Sequence, residues 1–162
     1  MKPLAFLLVP ALLAAQTAPA VPTQAQVIRA QYAWGYAGMD GEGSGTLSVL
    51  LEPLGGRVVM ELHGLGERLM LLSGTQSSGY RVQIPRQKLD QTVAEFGALP
   101  LPFLPKLGSA EALRALLTEG SGPGVKTTKR DKQGPVKLRY EGHDEHGKDV
   151  TVWLNRTRWE QE

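Results

Sequence analysis

Apolar and polar residues alternate along much of the chain, which is the pattern of β-strands with one buried face. A clear example is the segment 57–63, where Val58, Met60 and Leu62 alternate mostly with charged or polar residues. Glycines and prolines separate the runs and indicate turns between antiparallel strands. The alternation predicts strands near residues 27–37, 45–51, 57–63, 79–84, 136–141 and 150–155, and the run 68–73, which is apolar on both faces, predicts a further strand.

The periodicity changes after residue 85 and predicts a first short helix. Leu89, Val93 and Phe96 recur at helical spacing, and Gly97 is placed to end the helix. The apolar stretch that follows has three prolines between residues 100 and 105, so it is not helical. We expect residues 99–107 to form a movable rim of a cavity.

A second short helix is predicted between Ser109 and Gly120. Ser109 is a typical N-cap residue, and Gly120 is a typical stop. Leu113, Leu116 and Leu117 form its apolar stripe, which we expect to pack on the sheet.

These elements predict a mainly β fold of the α+β type. We expect a curved antiparallel sheet of about seven or eight strands that forms an incomplete barrel, lidded by two short helices. A bent sheet under helices favours an apolar cavity, which suits an acyl chain. The residues predicted to line a lipid-binding cavity are Val49, Leu51, Val58, Met60, Leu62, Val82, Phe96, Phe103, Leu113 and Leu138.

The N-terminus predicts export. Lys2 precedes an apolar run from Leu4 to Ala15, and Ala18-Pro19-Ala20 fits a small-residue cleavage site. We therefore interpret residues 1–20 as a signal peptide and residues 21–162 as a single domain. The chain contains no cysteine. We expect a monomer, located in the periplasm or cell envelope and soluble after signal cleavage.

The charge pattern does not favour nucleic acid as a partner. The formal net charge is only +2, and the most basic segment, residues 125–139, intersperses its charges with other residues. This segment is better interpreted as a solvated hairpin. The stripe of Tyr32, Trp34 and Tyr36 on one strand face is likewise interpreted as lining a core or cavity rather than as a stacking platform.

The residues of common catalytic sites are scarce. The chain has no cysteine, no Gly-x-Ser-x-Gly and no His-Glu-x-x-His motif, so we predict no catalytic residues, no metal and no cofactor. The loop "GHDEHG" favours a solvated turn, but a secreted hydrolase or metal-dependent enzyme using His143, Asp144 and His146 stays open. A structural envelope module that binds a protein through its sheet edge is a third alternative.

An unusual leucine lies in the turn of "MELHGLGERLML". Leu65 stands between Gly64 and Gly66, at a position where hairpins normally carry Asn, Asp or Gly. Two interpretations stay open. Leu65 is either a side chain folded back on a neighbour or a hydrophobic finger that meets a membrane or an apolar partner.

Three stretches together resemble the LolA/LolB family of bacterial lipoprotein-localisation proteins, and the LolB type more closely. They are "RVVMELHGLGERLMLLSG", "AEFGALPLPFLPKLGSAEALRALLTEG" and "GPVKLRYEGHDEHGKDVTVWLNRTRW". The first is similar to a hairpin with a protruding leucine, the second to a helix, proline-rich turn and helix, and the third to a late strand pair. Their order and spacing carry the resemblance. The LolB type is itself a lipoprotein, whereas this chain lacks the cysteine that would bear a lipid.

The resemblance implies an eleven-stranded half-barrel with a helical lid, whose cavity holds lipoprotein acyl chains during transfer to the outer membrane. It implies that Leu65 is the finger that helps deliver the cargo. The predicted protein is therefore not an enzyme. Its predicted partners are the acyl chains of lipoproteins or lipids, with a transient membrane contact.

Overall fold

The structure is a computed structural model that describes residues 26–38, 41–101, 105–144 and 146–162. Within these ranges the protein is mainly β, with one sheet of nine antiparallel strands and one α-helix. The predicted signal peptide, residues 1–20, lies outside the described residues, and so does Phe103.

The nine strands are β1 (Ile28–Gly38), β2 (Gly41–Glu52), β3 (Arg57–Gly64), β4 (Glu67–Thr75), β5 (Gly79–Ile84), β6 (Leu89–Val93), β7 (Val125–Asp131), β8 (Gly134–His143) and β9 (Asp149–Gln161). Seven of the nine strands overlap the predicted runs, whereas β6 and β7 do not, so the predicted count of seven or eight strands is corrected to nine in the described residues. The helix, α1, spans Ala110–Glu119.

The sheet is open, with strand order β6-β5-β4-β3-β2-β1-β9-β8-β7. Neighbours in the sheet are neighbours in the chain except where β1 pairs with β9, which joins the two halves of the sequence. The sheet does not close into a barrel, because β6 and β7 remain as its two edges. The prediction of an incomplete, antiparallel arrangement is confirmed at this level.

One face of the sheet carries the hydrophobic core. Alternate residues on each central strand are buried there, as the period of two requires. Val58, Met60 and Leu62 of β3, for example, are each no more than 4% exposed. Helix α1 covers part of this face and buries Leu113, Leu116 and Leu117.

The capping signals of α1 are confirmed. The side chain of Ser109 accepts a hydrogen bond from the backbone N–H of Ala112, with an Oγ–N distance of 3.1 Å. Gly120 ends the helix in the left-handed conformation, at a φ of 70°. Local sequence therefore determined both ends of this helix.

The prediction of a first helix is wrong, so the two-helix lid is corrected to one helix in the described residues. Residues 89–93 form β6, which pairs with β5, and only a short 3-10 helix follows at Phe96–Ala98. A spacing of four places Leu89 and Val93 on one face in a helix and in a strand alike. Pairing with β5 decided between them.

An ion pair on the outer surface joins β6 to β5. Arg81 donates two hydrogen bonds to Asp90, at 2.7 and 2.6 Å, and Gln83 donates a third at 3.0 Å. The bond from Arg81, followed by that from Gln83, lowers the pKa of Asp90 to about 2. A helix over residues 89–96 would not keep Asp90 opposite Gln83 in the strand register.

Antiparallel pairing places alternate turns at opposite ends of the sheet. The turn after β3, the 3-10 turn Pro85–Gln87 after β5 and the turn after β8 lie at one end, which we call the finger end. The turns after β2 and β4 lie at the opposite end.

Candidate functional site

The turn between β3 and β4 has a backbone that disfavours leucine. Gly64 pairs with Glu67, so Leu65 and Gly66 are the two central residues of the turn. Both have positive φ angles, 52° for Leu65 and 78° for Gly66. This is the signature of a type I′ turn, which prefers Asn-Gly. A left-handed conformation costs a residue with a Cβ roughly 1–2 kcal/mol.

The side chain of Leu65 does not fold back onto the protein. It is 86% exposed, which excludes the interpretation of a buried neighbour contact. Leu65 therefore combines an unfavourable backbone with an apolar side chain in water. The turn requires the positive φ, but nothing in the fold requires a leucine there, and backbone strain of this kind is frequent at functional positions.

Trp34 braces the base of the hairpin. Its indole N–H donates a hydrogen bond to the backbone oxygen of His63, with an Nε1–O distance of 2.9 Å. A Cβ on Gly64 would lie 3.2 Å from Cζ2 of Trp34, and one on Gly43 would lie 3.4 Å from its Cη2. The glycines therefore leave room for the indole, which holds the end of β3 in place.

An exposed ion pair connects the hairpin to the next turn at the finger end. Arg86 and Glu67 lie 3.0 Å apart, and both side chains are more than half exposed. Exposed pairs contribute little stability, roughly 0–1 kcal/mol. The contact nevertheless shows that the Leu65 hairpin and the 3-10 turn at Pro85–Gln87 are neighbours.

A cleft of about 550 Å³ opens on the other side of that 3-10 turn. Ile84 and Gln87 form one wall, and residues 99–101 and 105–107 form another. This volume falls within the roughly 300–1,000 Å³ typical of small-molecule sites. Its other lining residues are both apolar and polar, and they are Gly97, Leu99, Pro100, Leu101, Pro105, Lys106, Leu107, Tyr140, His143 and Asp144.

The predicted cavity-lining residues lie together on the buried face of the sheet and helix, as part of the core. Each is no more than 4% exposed, and Leu138 borders a void of only about 10 Å³. In this structure they contact other core side chains, and their role in lipid binding stays a proposal. They are Val49, Leu51, Val58, Met60, Leu62, Val82, Phe96, Leu113 and Leu138.

A second cleft, of about 440 Å³, lies at the opposite end and was not predicted. Phe96 packs edge-on against Tyr80, whose hydroxyl donates to the backbone oxygen of Gly56 at 2.9 Å. Arg114 also lines this cleft, but its guanidinium already lies 2.7 Å from Glu111. The guanidinium of Arg114 is therefore already paired within the cleft.

The histidine loop forms the turn between β8 and β9, as the sequence indicated. Asp144 accepts backbone hydrogen bonds from Lys148 and His146, and the bond from Lys148 is the main cause of the lowered pKa of Asp144. His143 Nδ1 lies 2.9 Å from a carboxylate oxygen of Asp149. Across the described ranges, no three His, Cys, Asp or Glu residues gather as they would around a metal ion.

Sequence reasoning missed Arg156. It continues the inward-facing series of Val150, Val152 and Leu154 on β9, and this parity was the signal that could have revealed it. Its side chain is only 5% exposed. Burial raises the pKa of the Tyr32 phenol on the adjacent strand, and the positive charge of Arg156 opposes that rise.

Comparison with known proteins gives this chain no relative: no family model matches it, and no curated protein does. In the part of the chain that the structure describes, the helix is neither long nor apolar enough to cross a membrane.

Leu65→Asn should make the protein more stable. Asparagine tolerates the left-handed conformation, so we expect the free energy of unfolding to rise by about 1 kcal/mol in urea denaturation. Leu54→Asn is the matched control, because Leu54 is 79% exposed but has no left-handed backbone. An equal gain in the free energy of unfolding in both variants would indicate that the effect comes from removing a surface leucine and not from relieving backbone strain.

Proposed function

We propose that this is an exported, non-enzymatic protein that binds the acyl chains of lipids or lipoproteins and aids their transfer to the outer membrane. Leu65 is the point of transient membrane contact, and the protein acts as a monomer in the periplasm or cell envelope. The observation that carries this proposal is the leucine itself, which keeps a strained backbone while 86% exposed to water.

The energy available from Leu65 fits a transient contact. Burying one leucine side chain contributes roughly 1.5–3 kcal/mol, which is too little to hold a protein on a bilayer. It is enough to bias the orientation in which the protein meets a membrane. That orientation directs the finger end, with its cleft, toward the bilayer.

The cleft at the finger end suits the entrance of an acyl chain. Leu99, Leu101 and Leu107 supply apolar walls, and the core face of the sheet lies beneath them. A chain of about sixteen carbons would gain on the order of 12 kcal/mol before ordering costs, at roughly 0.8 kcal/mol per buried CH₂. Binding therefore needs neither a metal nor an ion pair.

The resemblance to the LolA/LolB family supports the same proposal. The family's LolB type has a hairpin leucine in the stretch that this chain resembles, and Leu65 occupies that position. The single helix and nine described strands differ from the half-barrel that the resemblance implies. The proposal therefore depends on the hairpin and the cleft more than on the lid.

Native mass spectrometry of protein purified from its own envelope tests this function. We expect co-purified lipid or lipopeptide, and displacement of a fluorescent fatty acid by palmitate. Protein that is always empty and binds no fatty acid would contradict the proposal. Turnover of ester or peptide substrates would favour the hydrolase alternative instead.

A further inference from the structure

Two buried polar side-chain atoms have no hydrogen-bond partner among the described residues, and they lie on paired residues. They are the hydroxyl of Tyr32 and Nη1 of Arg156. Tyr32 of β1 is directly opposite Arg156 of β9, next to a β-bulge at Gln31/Tyr32. Leaving buried donors unpaired is unfavourable, so two of them on one register pair indicate an absent partner.

The other contacts of Arg156 hold its guanidinium in place. Nη2 binds the carboxylate of Asp131, and the guanidinium carbon lies 5.2 Å from the ring centre of Trp159. The bond from Arg156 is the main cause of the lowered pKa of Asp131, so this carboxylate is ionised and balances the arginine charge. Nη1 is therefore a fixed donor rather than a free cation.

The geometry points to Tyr32 and Arg156 as a polar anchor for the carbonyl oxygen at the head of an acyl chain. This inference rests on the proposed function and identifies the chemical group of the ligand that the interior would recognise. Two unpaired donors on facing residues can share one acceptor that has two lone pairs, which a carbonyl oxygen supplies.

The surroundings and the charge balance favour an acyl oxygen over a phosphate. Leu47, directly opposite Tyr32 on β2, is 1% exposed, so the region around the pair is apolar. Asp131 already neutralises Arg156, and a phosphate dianion would add buried negative charge that nothing balances. An ester oxygen, or the oxygen of a protonated carboxylic acid, with an apolar chain carries no charge and meets both conditions.

The anchor is closed in this structure, because Tyr32 is 1% exposed. Helix α1 covers part of the same face, and access requires the side chains packed around Tyr32 to separate. Apolar ligands that lack a carbonyl oxygen should still bind, because the same apolar side chains of the interior are available to them. The anchor therefore predicts that ligands with a carbonyl oxygen bind more tightly than ligands without one. It does not decide whether apolar ligands bind at all.

The test compares palmitate, methyl palmitate and hexadecane as competitors of a fluorescent fatty acid. In the unaltered protein we expect the oxygen-bearing probes to bind roughly tenfold more tightly than hexadecane. Tyr32→Phe removes only the hydroxyl and should abolish most of this preference without weakening hexadecane. Arg156→Lys, which keeps a cation for Asp131, should reduce the preference in the same way.

Tyr36→Phe is the matched control, since Tyr36 lies on the same strand and face but is only partly buried. It should keep the preference. If palmitate alone is preferred, the anchor binds a free fatty acid in its neutral, protonated form. If methyl palmitate is preferred as well, it recognises the ester of a lipid or lipoprotein.

Three results would overturn the anchor. Equal affinity for all three probes would contradict the anchor but would remain consistent with the proposed function. A Tyr32→Phe variant with unchanged affinities and a higher melting temperature would show that the pair holds a buried water only. Failure of every probe to bind would overturn the anchor and the proposed function together.

Discussion

Leu65→Glu should slow the delivery of bound lipid to acceptor vesicles by roughly tenfold or more. The estimate follows from losing about 1.5–3 kcal/mol of leucine burial at the membrane, where each 1.4 kcal/mol is a factor of about ten. The melting temperature should hardly change, because the side chain is 86% exposed and glutamate inherits the same backbone strain. Lipid binding should persist, since the cleft lies beyond the adjoining turn.

Leu54→Glu is the control for that experiment. Leu54 is 79% exposed in the turn between β2 and β3, at the end of the sheet opposite Leu65. It presents a similar apolar side chain but does not adjoin the finger end. Equal slowing by both variants would indicate general surface hydrophobicity, and unchanged transfer by Leu65→Glu would leave that residue without the proposed role.

Leu113→Ala should lower the free energy of unfolding by about 2–5 kcal/mol, as large-to-small core substitutions do. Leu113 is 1% exposed and fixes α1 on the core face of the sheet. Alanine is at least as good a helix former as leucine, so the loss would come from packing alone. Urea denaturation measures the effect, with Leu54→Ala as the exposed control.

This variant also distinguishes a filled core from a loosely packed cavity. A loss of about 2 kcal/mol or more would show that Leu113 is tightly packed when no lipid is bound. A much smaller loss, with fatty acid binding retained, would contradict tight packing and favour a cavity wall at this position. Leu113 was predicted to line the cavity, so the result bears directly on where the acyl chain lies.

Local patterns determined most of the secondary structure. Alternation identifies a strand when one face is buried and the other is solvated, and six of the seven predicted strands showed it in the sequence. The ends of α1 were equally local, because a cap residue and a glycine act on their own backbone. Residues 125–131, expected to belong to a solvated hairpin, form β7 of the β7–β8 hairpin.

Tertiary pairing decided what the local pattern left ambiguous. Leu89 and Val93 fit a helix and a strand equally well, and the register with β5 selected the strand. The sequence showed a leucine between two glycines, but only the folded turn revealed the φ of 52° and the exposure of Leu65. Both depend on the pairing of β3 with β4, which no short segment contains.

The pairing of Tyr32 with Arg156 shows the same limit most clearly. The sequence placed Tyr32 on an inward-facing stripe, and the parity of β9 would have directed Arg156 inward as well. Their contact depends on β1 pairing with β9 and on the register shift at Gln31/Tyr32. Sequence alone therefore determined which residues face the core, because the alternation of side chains between the two faces of a strand is a local property of that strand. Only the tertiary structure decided which of them meet, because register joins segments from opposite ends of the chain.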